Sequence, residues 1–74
     1  MGHIRRLKAK EIEAILGRYG YELVSQRGSH RKWRNGESRL IVIVPDHGGR
    51  EVPLGTLRQI MLSANIPDVE WRTD

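Results

Sequence analysis

Seventy-four residues, 38 % of them hydrophobic and none of them phenylalanine, leave room for one small domain with an aliphatic core and one or two Tyr or Trp anchors. The absence of cysteine excludes disulfides and thiolate metal sites, and no apolar run is long enough to span a bilayer, so a cytoplasmic protein with no membrane segment is expected. The net charge of +4 is lopsided: residues 1–34 hold nine Lys or Arg against three Glu, and the remainder four Arg against six acids, a distribution that suits a partner rich in negative charge.

Met1 to Leu7 reads as a short basic lead-in, and Met1-Gly2-His3 receives no role. From Lys8 onward, Ile12, Ile15, Leu16 and Tyr19 recur at i, i+3, i+4 and i+7, the stripe of an amphipathic helix that Gly20 ends. Gly17 within that stripe costs about 1 kcal/mol against Ala, so the helix relies on tertiary packing. "YELVSQR", residues 21–27, is a first strand, Gly28 a turn, and Ser29 to Arg34 a second strand. Asn35-Gly36 is a two-residue hairpin signal leading into a third, nearly continuous apolar strand from Arg39 to Val44, which Pro45 ends. "PDHGGREVP" is a loop by composition. Leu57, Ile60, Met61 and Ala64 mark a second helix, with Asn65 as its C-cap and Pro67 as a stop. "DVEWRTD" has no periodicity and reads as a loose tail or a partner-binding segment. The order predicts an α+β domain, α-β-β-β-α, in which a three-stranded antiparallel sheet carries two helices on one face and leaves the other open.

Strand alternation divides the second strand into two faces. Ser29, Arg31 and Trp33 share one, and Trp33 as the natural core anchor turns that face toward the helices. His30, Lys32 and Arg34 then line the open face, where a histidine between cations suits work on a phosphodiester. A ribose 2′-OH attacks its own phosphate once a base removes its proton and positive charge stabilises the phosphorane; histidine exchanges protons near neutral pH, and Lys or Arg supplies the charge. The plainer alternative for Lys32 and Arg34 is a solvated surface that discourages sheet aggregation, and for His30 an exposed histidine without a role. Ser29 lacks the His–Asp pair that a nucleophilic serine requires. His47 lies between Asp46 and Gly48-Gly49, either as a second acid or base or simply as a loop residue. No metal-ligand spacing and no phosphate-binding Gly-Lys-Ser/Thr loop is present.

Several short segments occur together in a specific order: Gly20-Tyr21 after a short helix, Gly28-Ser29-His30, Trp33 three residues beyond that histidine, Val-Pro-Asp-His-Gly at residues 44–48, and Gly55-Thr56-Leu57-Arg58 opening the last helix. In this order they resemble the HicA (YcfA-like) toxins of bacterial and archaeal toxin–antitoxin pairs, over about residues 8–66. The resemblance implies a fold similar to the double-stranded-RNA-binding domain. It also implies a metal-independent mRNA interferase that needs no cofactor and is silenced by a HicB-like antitoxin. The family's catalytic histidine maps onto His30 and its Val-Pro-x-His-Gly histidine onto His47, although Asp46 disfavours phosphate contact beside the latter. On this reading Arg27, Ser29, Arg31, Lys32 and Arg34 are the candidate RNA-binding residues. A non-catalytic RNA-binding module of the same fold, and a protein-interaction subunit whose basic face docks on an acidic partner, are the alternatives.

Overall fold

A computed structural model describes residues 2–73; Met1 and Asp74 lie outside the described residues. Helix α1 spans Ala9–Arg18 and buries Ile12, Ile15 and Leu16 of the expected stripe together with Ala9, whereas Tyr19, the fourth stripe residue, is its C-cap and only partly buried. Its first turn is closed by Glu11, whose carboxylate accepts the Lys8 N–H at 2.8 Å and so occupies a donor that the helix leaves free. Gly20 takes φ +88° and reverses the chain into strand β1, Tyr21–Arg27.

Strands β1, β2 (His30–Asn35) and β3 (Ile41–Pro45) form an antiparallel sheet in chain order. The two-residue hairpin turn falls at Gly28-Ser29, with Arg27 opposite His30 and Gly28 at φ +59°. Ser29 is therefore a turn residue and does not open β2 as the sequence suggested. The expected two-residue turn at Asn35-Gly36 does not form. Asn35 pairs with Leu40 (Asn35 N–H to Leu40 O, 2.9 Å), leaving a four-residue loop in which Arg39 takes the left-handed φ of 66°. The reason lies in the Asn35 carboxamide: its Oδ1 accepts the N–H groups of Glu37 and Ser38, and its Nδ2 donates to the Tyr19 carbonyl at 2.7 Å. That side chain holds a wider loop and ties it to the end of α1.

Helix α2, Leu54–Ala64, buries Leu57, Ile60 and Ala64 and ends at Asn65 in the left-handed conformation, as the sequence indicated. Both helices contribute to one core with Tyr21, Val42 and Val44 of the sheet, so the opposite face is bare. Among the described residues no helix is long and apolar enough to cross a membrane.

The two ends of the chain depart furthest from expectation. Residues 67–73 are not a loose tail: Asp68–Trp71 forms a 3₁₀ turn, and Trp71 is 1 % exposed. The basic lead-in pairs with it, through Arg5 N–H to the Trp71 carbonyl and Thr73 N–H to the His3 carbonyl, both at 2.8 Å. Leu7 is equally buried, and its carbonyl accepts the Val52 N–H at 2.8 Å. Trp71, rather than Trp33, is thus the tryptophan that anchors the core beside Tyr21, although its indole N–H finds no partner among the described residues. Glu70 completes the seam, accepting the Tyr19 hydroxyl at 2.6 Å and Arg18 at 2.7 Å. The Tyr19 hydroxyl and the Arg18 guanidinium hold the Glu70 carboxyl below its ordinary pKa, and the same hydrogen bond, helped by burial, raises that of Tyr19.

Candidate functional site

The open face is built on β2, whose alternation places His30 and Lys32 outward and exposed. Cross-strand pairing surrounds them. His30 lies between Arg27 and Pro45, Lys32 between Ser25 and Ile43, and Arg34 between Glu22 and Ile41. Between β1 and β3 a shallow depression of about 410 Å³ is lined by Ser25, Gln26, Arg27, His30, Lys32 and Ile43. A histidine, an arginine and a lysine converge there on one hollow, with an apolar floor from Ile43.

Arg27 reaches that hollow because of a bulge. The pairing of β1 with β2 shifts between Leu23 and Ser25, leaving Val24 without a partner. Before the shift the odd-numbered residues Tyr21 and Leu23 face the helices; after it Ser25 and Arg27 face outward and Gln26 turns inward. Were the same residues paired in an unbulged register, Arg27 would point to the opposite side from His30.

Arg31 and Trp33 lie on the helix side, as alternation required. Arg31 Nε bonds to Glu13 Oε2 at 2.5 Å, and Trp33 Nε1 bonds to the same oxygen at 2.7 Å. The structure thus separates Arg31 from the Arg27, Lys32 and Arg34 set. Trp33 is only partly buried, packing against the rim of the core.

His47 is exposed on the β3–α2 loop, where Gly48 and Gly49 both take positive φ. The Asp46 N–H donates to the Ser29 carbonyl at 2.7 Å, which clips this loop to the β1–β2 turn and brings His47 to the same end of the sheet as His30. Asp46 Oδ1 accepts the Gly49 N–H, so its carboxylate is engaged within the loop. Among the described residues no three His, Asp or Glu side chains converge as metal ligands would.

A second hollow of about 400 Å³ lies at the other end of the sheet, beside Tyr19, Tyr21 and Asn35. No Lys, Arg or His lines it, and its tyrosine hydroxyls are committed to Glu70 and to the Ala64 carbonyl. It offers a phosphate no positive charge, and Glu37 adds a negative one. Ser25 and Ile43, by contrast, belong to the basic hollow yet were not singled out from the sequence, because their placement depends on the bulge and on strand register.

A family model described as the HicA toxin of bacterial toxin–antitoxin systems matches residues 9–66, from the start of α1 to the residue after the C-cap of α2. No curated protein matches the chain.

Proposed function

The chain belongs to the HicA toxin family, whose members are known as ribonucleases, and from that premise we propose that it is a metal-independent endoribonuclease that cleaves mRNA and arrests translation. The observation that carries the reading is the exposed His30 set between Arg27 and Lys32 in one basic hollow.

An RNA strand lying across this face places a phosphodiester over the hollow, with Arg27 and Lys32 contacting its oxygens, Arg34 farther along β2 contacting a neighbouring phosphate, and Ser29 available at the turn. His30 takes the proton from the 2′-OH as the 2′-oxygen attacks phosphorus. The bond to the 5′-oxygen breaks, and that oxygen receives a proton from a general acid, for which His47 at the same end of the sheet is the candidate. The products are a 2′,3′-cyclic phosphate and a 5′-hydroxyl. Arg27 and Lys32 stabilise the charge that grows on the phosphorane oxygens, the contribution that is commonly the largest in such a site. Arg31, held by Glu13, takes part by keeping the strand in place. Family membership implies an antitoxin partner; we assign it to a HicB-like protein that covers the basic face, and the site of action to the cytoplasm.

The test is cleavage of a labelled mRNA by the purified protein in EDTA, wild type beside His30→Ala. His30 is exposed, so the variant is expected to fold normally and to lose cleavage by roughly 10²-fold or more, the usual share of a general acid–base group. Equal cleavage by both proteins would remove His30 from the mechanism. If neither cuts, yet both bind RNA in a salt-sensitive way, the domain is a binding module.

A further inference from the structure

The strand that carries His30 contributes no fully buried side chain to the core: His30 and Lys32 are exposed, and Arg31, Trp33, Arg34 and Asn35 are only partly covered. Opposite Trp33 on the helix side, Leu23 is 41 % exposed, so apolar packing between this part of the sheet and the helices is thin. At its far end β2 is tied to α1 by the Asn35 carboxamide on the Tyr19 carbonyl; at the His30 end the polar link is one carboxylate. Glu13 stands on α1 next to Ile12 of the buried stripe, and its side chain is only 10 % exposed. A single oxygen, Oε2, accepts both Arg31 Nε at 2.5 Å and Trp33 Nε1 at 2.7 Å. Arg31 extends the link to β1 by donating from Nη1 to Gln26 Oε1 at 3.1 Å. Both donors are alternate residues of β2, and His30 immediately precedes the first of them.

We propose that Glu13 is a positioning residue of the ribonuclease site: by holding Arg31 and Trp33 it fixes the height of β2 above α1, and with it the place of the His30 imidazole in the basic hollow. Backbone bonds to β1 and β3 set β2 only within the plane of the sheet, whereas the contact with Glu13 sets it perpendicular to that plane. Ionic hydrogen bonds in a largely covered site are directional, which suits them to this task better than the sparse apolar contacts beside them. The catalytic half of this inference rests on the ribonuclease reading above; the positional half does not.

Two variants of the full chain, Glu13→Ala and Glu13→Gln, separate the halves. The chain has two tryptophans, so the nitrogen–proton NMR spectrum carries two indole signals. In Glu13→Ala the Trp33 indole signal should move, the Trp71 signal should stay, and the His30 ring signals should shift. Cleavage by the same folded sample, well below its unfolding temperature, should show kcat lower by roughly tenfold with KM unchanged or smaller, as expected when a reacting group is displaced while an acid is removed from an RNA-binding protein. Glu13→Gln, which keeps an acceptor for the indole, should recover part of kcat, and it carries both measurements if the alanine variant does not fold. Unchanged His30 signals and unchanged kcat alongside a moved Trp33 signal would overturn the proposal. Should the wild type fail to cleave, a His30 shift in the variants keeps the positional role and removes the ribonuclease reading, while no shift removes both.

Discussion

Trp71 and Trp33 show how one residue type divides between packing and positioning. Trp71 is enclosed by the core, and its carbonyl accepts the Arg5 N–H that joins the two ends; Trp33 lies at the rim and directs its indole N–H to Glu13. Replacing Trp71 by Ala should cost about 3–5 kcal/mol, the range for emptying a buried aromatic site, enough to unfold a domain this small. Trp33→Ala should cost less, roughly 2 kcal/mol, because part of the ring is already in water and one hydrogen bond is lost. Urea unfolding of both variants checks the order, and a Trp33 variant less stable than the Trp71 variant would reverse the assignment. Sequence alone favoured Trp33, since a tryptophan alternating with cations in a strand has an evident inward face. Trp71 sits in a stretch without periodicity, and no local pattern marks it as buried.

At the scale of elements, the terminal seam is the feature local patterns did not show. The lead-in and the 3₁₀ turn meet through backbone bonds and through Glu70, which gathers Tyr19 and Arg18 and accepts Arg5 Nη1 on its carbonyl. Because the Glu70 pKa is depressed in the folded state, its contribution is present above the ordinary carboxylate value and is lost as pH falls through the lowered one. The Tyr19 pKa is raised, so its share is present below the ordinary phenol value and is lost as pH rises through the raised one. Thermal unfolding of wild type and Glu70→Gln should therefore differ most near neutral pH and converge once the pH has fallen below the lowered Glu70 pKa. A difference that persists below that pKa would mean that Glu70 acts through something other than its charge. The β1–β2 hairpin illustrates the opposite case, where Gly28 in the sequence pointed to the turn that forms.

Across the whole molecule, the excess of basic charge in residues 1–34 does not form one surface. Arg27, Lys32 and Arg34 share the open face, whereas Arg31 is paired with Glu13, Arg18 with Glu70 and Arg6 with Glu51. The open face should thus act on RNA with about three cations, giving a slope of about −2 for log K against log salt with a single strand. Lys32→Gln should flatten that slope by roughly 0.7. Titration of labelled RNA at several salt concentrations reads both numbers, and a slope near zero would exclude this face as a phosphate track.

The helix stripes, the three strands, the Gly28 turn, the Asn65 cap and the outward side of His30 were legible in the sequence because each follows from spacing or chemistry within a few residues. The shared helix-side face of Arg31 and Trp33 was legible for the same reason. Side-chain bonding decided the Asn35 loop, where a carboxamide that reads locally as a tight turn bonds instead to the chain at Tyr19. Tertiary structure alone decided the bulge that turns Arg27 toward His30, the pairing of the two chain ends around Trp71, and the meeting of Glu13 with β2. These depend on strand register and on contacts between residues up to some 70 positions apart (His3 with Thr73 is one), and no periodicity records such a contact, because the free energy that forms it appears only once the intervening chain has folded.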